Sequence, residues 1–272
     1  MRTDPEAFVR VLFPALRQAA SIARALEGRV QNRPKSDAPS EVKAALTLAD
    51  TAAQEALLVP LFEHFPDVAL EAEEDTPTAR RFPAAAERLV VVDPIDGTLR
   101  SYLDGLGPYG VLVGLAVQGR YEAALVALPR EGLFFTGVRG RGARAGRAGG
   151  RLRPARLDRA GRRVMVSYET PAGVRERLCA RGLEVVQGCG GAIAVAPLLP
   201  GLAGGLRIAA AGGSISRRGR IGALVAAEAG ARLAGEGGPF PDALDEPARA
   251  LLVARDDGVL DDLRFALAGA DA

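Results

Sequence analysis

The residues best placed to do chemistry fall in Asp93-Pro94-Ile95-Asp96-Gly97-Thr98, directly after the apolar run Leu89 to Val92. Two carboxylates three residues apart on one turn can converge on a hard cation, which prefers oxygen ligands. The backbone N–H groups of Gly97 and Thr98 are then available to an anion. Pro94 disfavours helix at Asp93 and Gly97 tolerates positive φ, so the same residues also describe a plain polar turn after a buried strand. More carboxylates lie upstream: Glu73 and Glu74 in Leu70-Glu71-Ala72-Glu73-Glu74-Asp75, and Asp50 at the end of Thr47-Leu48-Ala49-Asp50. Glu74 and Asp75 read as a solvated acidic turn as readily as a site. Glu73, Asp93 and Asp96, with the Ile95 carbonyl, are hard oxygen donors suited to a divalent cation such as Mg²⁺.

In order and spacing, Thr47/Asp50, Ala72-Glu73-Glu74 and Asp93 to Thr98 resemble the T-x-x-D, G-E-E and D-P-[IL]-D-G-T motifs of the inositol monophosphatase family, which are metal-dependent, lithium-sensitive phosphatases. The resemblance implies an α+β fold, the layered αβαβα sandwich of inositol monophosphatase and fructose-1,6-bisphosphatase. It implies Mg²⁺-dependent hydrolysis of a small phosphomonoester (an inositol, sugar or nucleotide phosphate), with Mn²⁺ as a substitute ion and a homodimer as the expected assembly. Glu73, Asp93 and the Ile95 carbonyl then take a first ion, and Asp93 bridges to a second that Asp96 also binds. Gly97 and Thr98 hold phosphate beside Asp96. Asp50 hydrogen-bonds Thr98, and with Glu73 this dyad orients the attacking water. Gly190, Gly191 and Ala192 match a substrate-touching G-[ST]-A-A stretch, with glycine where the family has a hydroxyl residue. Close packing of a turn accounts for that glycine run equally well.

The family's last motif is W-D, ten residues before the Glu of E-A-G. Counting back from Glu228 gives Arg217 and Arg218, and no aspartate occurs between Asp158 and Asp242. A cation therefore replaces the last metal ligand. In one reading Arg218 grips phosphate and supplies the charge of a missing ion. In a second, the chain is a catalytically weak member that binds phosphorylated ligands or acts as a regulatory protein. In a third, both arginines face solvent. The acidic residue expected just before Arg217 to contact inositol is lost among Ala209, Ala210, Ala211 and Gly212, so the substrate is left unnamed.

The elements that must hold these residues follow from periodicity. Asp4-Pro5-Glu6 starts an amphipathic helix over 4–31, a polar loop spans Pro34 to Pro39, and a second helix runs over about 41–64. A short strand at 68–70 delivers Glu73, and a strand ending at Val92 delivers Asp93. An antiparallel meander follows at 111–117, 121–128 and 133–138. Arg139 to Arg153 reads as a glycine-arginine loop; without aromatic residues it makes a poor single-strand nucleic-acid surface. The second half alternates: strands at 164–167, 183–186, 206–210 and 232–234, helices at 170–181, after 192 and at 221–229, then a last strand and helix up to Phe265. Residues 1–155 form an α+β half with the metal motifs and 156–272 an α/β half, together one family-level domain.

Composition narrows the partners. The 272 residues are 48% hydrophobic, and 35 basic against 33 acidic residues leave too small a surplus for a polyanion-binding chain. Lys35 and Lys43 are the only lysines. Cys179 and Cys189 are expected to be reduced core thiols and His64 a helix-terminal residue. The stretch 192–215 carries Pro197, Pro200 and Arg207, so no membrane span is expected, and no N-terminal signal is visible; the cytoplasm is the expected location.

Overall fold

Asp4 caps the first helix, α1 (Pro5–Leu26), its carboxylate accepting the N–H groups of Glu6 and Ala7. Proline at the first helical position leaves no further donor to satisfy. The computed structural model describes residues 4–33, 35–36 and 46–268. Apart from Lys35 and Ser36, the loop expected at 34–39 and the helical start expected at 41 lie outside the described residues. Helix α2 (Leu48–His64) is described from its N-cap, Thr47, which with Asp50 closes a capping box.

Twelve strands among the described residues make two sheets. β1 (Ala69–Glu71), β2 (Arg88–Asp96), β3 (Gly110–Val117), β4 (Arg120–Leu128), β5 (Leu133–Val138), β6 (Gly142–Arg147) and β7 (Arg153–Pro154) pair in sequence order. Only β1 and β2 run parallel, so Glu73 and Asp93 leave the same end of the sheet. The second sheet has the order β11-β12-β10-β8-β9, from β8 (Arg163–Val166), β9 (Glu184–Gln187), β10 (Leu202–Ile208), β11 (Arg232–Ala234) and β12 (Ala250–Ala254). Its helices are α3 (Ala172–Ala180), α4 (Gly190–Ala194), α5 (Ile221–Glu228) and α6 (Asp257–Ala268).

Five layers result. α1 and α2 cover one face of the first sheet, with Phe8, Leu12, Leu57 and Leu58 against Val90, Val113 and Leu125. α4 and α5 fill the middle: Ile193, Ile221 and Val225 meet Val91, Leu112 and Phe135, while Ala194 and Ala226 meet Leu251 and Val253. α3 and α6 close the far face through Val174, Leu178 and Leu263. This is the αβαβα sandwich the motifs imply. The middle layer belongs to both sheets, so neither half buries its inner face alone.

Three local expectations change. The glycine-arginine stretch is not a free loop but the strands β6 and β7, because edge pairing uses backbone groups and asks little of side chains. Glu228 at the end of α5 anchors it by accepting the N–H groups of Gly140 (2.9 Å) and Gly142 (2.8 Å). β10 begins at Leu202 rather than Leu206. Gly204 and Gly205 hide its start, yet a Cβ at Gly204 would stand 2.7 Å from the Val253 carbonyl and one at Gly205 would collide with the Ile193 carbonyl. Of the two free cysteines only Cys189 is buried; Cys179 is exposed on α3. His64 does end its helix, Nδ1 lying 3.0 Å from the Pro60 carbonyl. No described helix is long and apolar enough to cross a membrane.

Candidate active site

The site is built at the end of β2. Pairing with β3 becomes irregular between Asp93 and Asp96, and the chain then turns through Gly97 at φ +90°. A side chain at 97 would meet Cys189 Cβ at 2.7 Å, so glycine is required by backbone angle and by space. A single π turn follows, Thr98–Leu103, a geometry frequent at functional sites. It points the Thr98 hydroxyl back at the Ile95 carbonyl (2.8 Å) and at Asp50 Oδ1 (3.1 Å). The other oxygen of Asp50 accepts the Thr47 N–H (2.7 Å) and the Thr47 hydroxyl (2.6 Å). One carboxylate therefore serves both the helix cap and the dyad. Asp50 is fully buried, and burial pushes its carboxyl up to about 6 against the pull of the hydrogen bonds from Thr47 and Thr98.

Asp93 is buried, and its Oδ1 has no hydrogen-bond partner. Burial first, then the charges of Glu73 and Asp96, hold its carboxyl well above the usual carboxylate range; the nearby Arg218 offsets part of this. Arg218 lies with its Nη1 3.0 Å from Glu73 Oε2, an ion pair whose alignment falls short of a hydrogen bond. Burial works against the charge of this guanidinium, but Asp93, Glu73, Glu71 and Asp96 outweigh it and raise its pKa. Arg218 thus faces the carboxylates, which removes the solvent-facing reading for it. Arg217 turns the other way and pairs with Glu71 (3.0 Å) at a more exposed position. Among the described residues, no three His, Cys, Asp or Glu side chains gather around one point as a metal ion requires. Glu73 is engaged by the arginine instead.

Asp96 faces the second half of the chain. Its Oδ2 accepts the Gly191 N–H at 2.5 Å, tying the end of β2 to α4. The three residues expected to touch substrate there are otherwise committed: the Gly191 donor holds Asp96, Ala192 is fully buried in the middle layer, and Gly190 faces Arg207. Two helpers escaped sequence reasoning. Gln54 on α2 holds both backbone groups of Glu74, donating to its carbonyl (2.6 Å) and accepting its N–H (2.9 Å). Lys35 reaches the buried Glu74 carboxylate at 2.6 Å. The only signal for Lys35 was its rarity, one of two lysines among 35 basic residues.

A layered αβαβα sandwich with a carboxylate-lined β2 end defines a class, and comparison with known proteins names it. The family model for the inositol monophosphatase family matches residues 4–183, and the chain belongs to that family. A histidinol-phosphatase of Chlorobaculum parvum is 35% identical over 98 residues, 36% of this chain and 36% of that relative. The Nus factor SuhB of Pseudomonas aeruginosa is 33% identical over 103 residues, 38% of this chain and 37% of the relative. The match thus spans little more than a third of either relative. Among solved structures, the inositol monophosphatase of Thermotoga maritima superposes with a TM-score of 0.73 at 18% identity, over 94% of this chain and 96% of that one. A calcium-bound family protein of Staphylococcus aureus gives 0.74 at 14% identity, over 98% and 97%. These likenesses show the fold.

Proposed function

We propose that the chain is a divalent-cation-dependent phosphatase that hydrolyses a small phosphomonoester, an inositol, sugar or nucleotide phosphate, by attack of an oriented water. The observation that carries this is the buried Asp50–Thr98 dyad at the same end of β2 that carries the unpartnered Oδ1 of Asp93. An orphaned, buried carboxylate oxygen fits a cation, with Asp93, Glu73 and the Ile95 carbonyl as the residues to hold one Mg²⁺ or Mn²⁺. When bound, the ion supplies charge neutralisation to the phosphoryl oxygens and polarises the attacking water.

The chain's own groups do the rest. Thr98 donates its hydroxyl hydrogen to Asp50, which leaves a lone pair on Oγ1 to accept a hydrogen from the water and fix its line of approach. Thr47 keeps Asp50 in place from behind. The N–H groups at Gly97 and Thr98 receive phosphate, and Arg218 supplies the positive charge that a second ion gives where the W-D aspartate is present. Asp96 keeps one oxygen on Gly191 and presents the other to the site.

A homodimer and a cytoplasmic location are part of this reading, as is the division at 155/156 into two halves of one domain. The second reading, a weak or non-catalytic binder of phosphorylated ligands, is favoured by one observation, the Arg218–Glu73 ion pair that engages the first-ion ligand. Phosphate release from a panel of phosphomonoesters, with Mg²⁺, with Mn²⁺ and with chelator, separates the two. Turnover that chelator abolishes supports the phosphatase. Tight phosphate binding without turnover on any ester overturns it in favour of the binder.

A further inference from the structure

Arg207 is the one charged side chain on β10, and its guanidinium lies in a slot between two glycines. A Cβ at Gly190, at the start of α4, would collide with Arg207 Nη1, and so would one at Gly219, just before α5. The slot therefore exists only because both walls lack side chains. Arg207 Nη1 is buried and has no hydrogen-bond partner, and among the described residues no carboxylate pairs with this arginine. A guanidinium cannot shed its charge in a protein, so a desolvated, unpaired nitrogen is a standing free-energy cost. Neighbouring arginines are better compensated: Arg217 pairs with Glu71, Arg220 donates to the carbonyls of Ile215, Ala243 and Glu246, and Arg218 Nη1, which also lacks a hydrogen bond, at least lies 3.0 Å from the Glu73 carboxylate.

Both walls of the slot adjoin the site. Gly190 precedes Gly191, whose N–H holds Asp96, and Gly219 follows Arg218, which lies on Glu73. Consecutive Cα atoms are about 3.8 Å apart, so each wall is one residue from a group that lines the reaction centre. A group in the slot is then beside the phosphoryl position but not at it. The planar fork of an arginine matches the two oxygens of a carboxylate or phosphate.

We infer that Arg207 receives a second oxyanion of the substrate, so that the preferred phosphomonoester carries another phosphate or a carboxylate rather than a neutral polyol end. The inference rests on the phosphatase reading of the site. Two further features agree with it: the acidic residue expected to contact a neutral inositol is replaced by Ala209 to Gly212, and Arg218 adds positive charge on the same side.

Three esters of one length test it: 3-hydroxypropyl phosphate, 3-phosphonooxypropanoate and propane-1,3-diyl bisphosphate. In the wild-type protein with Mg²⁺, one or both doubly charged esters are expected to exceed the neutral one in kcat/KM by at least tenfold, carried mostly in KM; which of the two leads tells carboxylate from phosphate. Arg207→Gln should collapse that ratio toward one, and Arg207→Lys should restore part of it. A merely structural role would lower all three esters together and leave the ratio intact, which overturns the inference. Calorimetric binding of the same esters decides the case without turnover. Tenfold tighter binding of a doubly charged ester, lost in Arg207→Gln, upholds the subsite even if no ester is hydrolysed and the phosphatase reading falls. Equal binding of all three by the wild-type protein overturns the subsite whatever the turnover.

Discussion

The end of β2 and the segment Ser216–Arg220 face each other across the site, and they were built under different rules. At the end of β2 stand most of the groups that handle water and cation in the proposed mechanism, with Glu73 joining them from the end of β1: Asp93 with its orphaned oxygen, Asp96, and Thr98 held on Asp50. Across from it, arginine stands where the family's aspartate is expected, and it lies 3.0 Å from Glu73. The first region is fixed by backbone: a strand end, a positive-φ glycine and a π turn leave the side chains few directions. The second is a short 3₁₀ turn, Arg218–Arg220, in which Gly219 and the buried Arg220 are held by their surroundings, while Arg218 is bound to the rest of the fold by its ion pair with Glu73. One face of such a site can keep its chemistry while the other changes its charge.

The largest test of that contrast is Asp93→Asn. Loss of the oxygen shared by both expected ion positions should lower divalent affinity and turnover on the order of 10³-fold, beyond the 10–100-fold typical of an outer-shell partner. Unchanged Mn²⁺ affinity by titration calorimetry would show that the ion does not belong at β2. Thr98→Ala should reduce kcat on the order of 10²-fold while metal affinity changes far less, because the hydroxyl orients water and does not hold the ion. Parallel loss of both would make Thr98 a ligand instead.

Asp50 gives the same comparison a pH axis. Its carboxyl titrates at about 6, so above that pH it accepts the Thr98 hydrogen and below it carries its own proton and does not. Turnover should fall about tenfold per unit below pH 6. A profile in Asp50→Asn with this limb unchanged would assign it to another group.

Arg218→Asp addresses the opposite face. A guanidinium and a dication about 4 Å apart repel by roughly 8 kcal/mol at an effective dielectric near 20, so the wild-type protein should bind one ion there and the variant two. Phosphatase activity should rise by roughly tenfold, a gain of about 1.4 kcal/mol in transition-state stabilisation. Two strong Mn²⁺ peaks in crystals of the wild-type protein would show that Arg218 excludes nothing. The smallest effect belongs to its neighbour. Arg217 is 43% exposed in its pair with Glu71, so Arg217→Ala should change unfolding free energy by less than about 1 kcal/mol and leave the metal count alone.

What could be read from the residues follows the same division. Asp93 to Thr98 and Thr47/Asp50 were legible because each motif is contiguous and its geometry is set by local backbone. The layers were legible because α1, β3 and β4 carry clean apolar patterns. β6 was not: Gly142 to Arg147 carries no apolar residue larger than Ala143 and Ala145, and its pairing is decided by β5 and by Glu228, 86 residues away from Gly142. Arg207 was equally silent, since one arginine in an apolar strand looks like an edge residue until Gly190 and Gly219 close around it. The bond from Gly191 to Asp96 was hidden for a related reason, as the two are 95 residues apart.

Such separations also set the order in which the site comes into being as the chain leaves the ribosome. Arg217 and Glu71 are 146 residues apart, so a nascent chain exposes Glu71, Glu73, Asp93 and Asp96 long before it exposes the arginines that face them. Contacts this distant in sequence form late because a long loop must close first. During that interval the carboxylates stand without the guanidiniums that face them in the finished fold, and Arg218 reaches Glu73 only once the second half of the chain has formed.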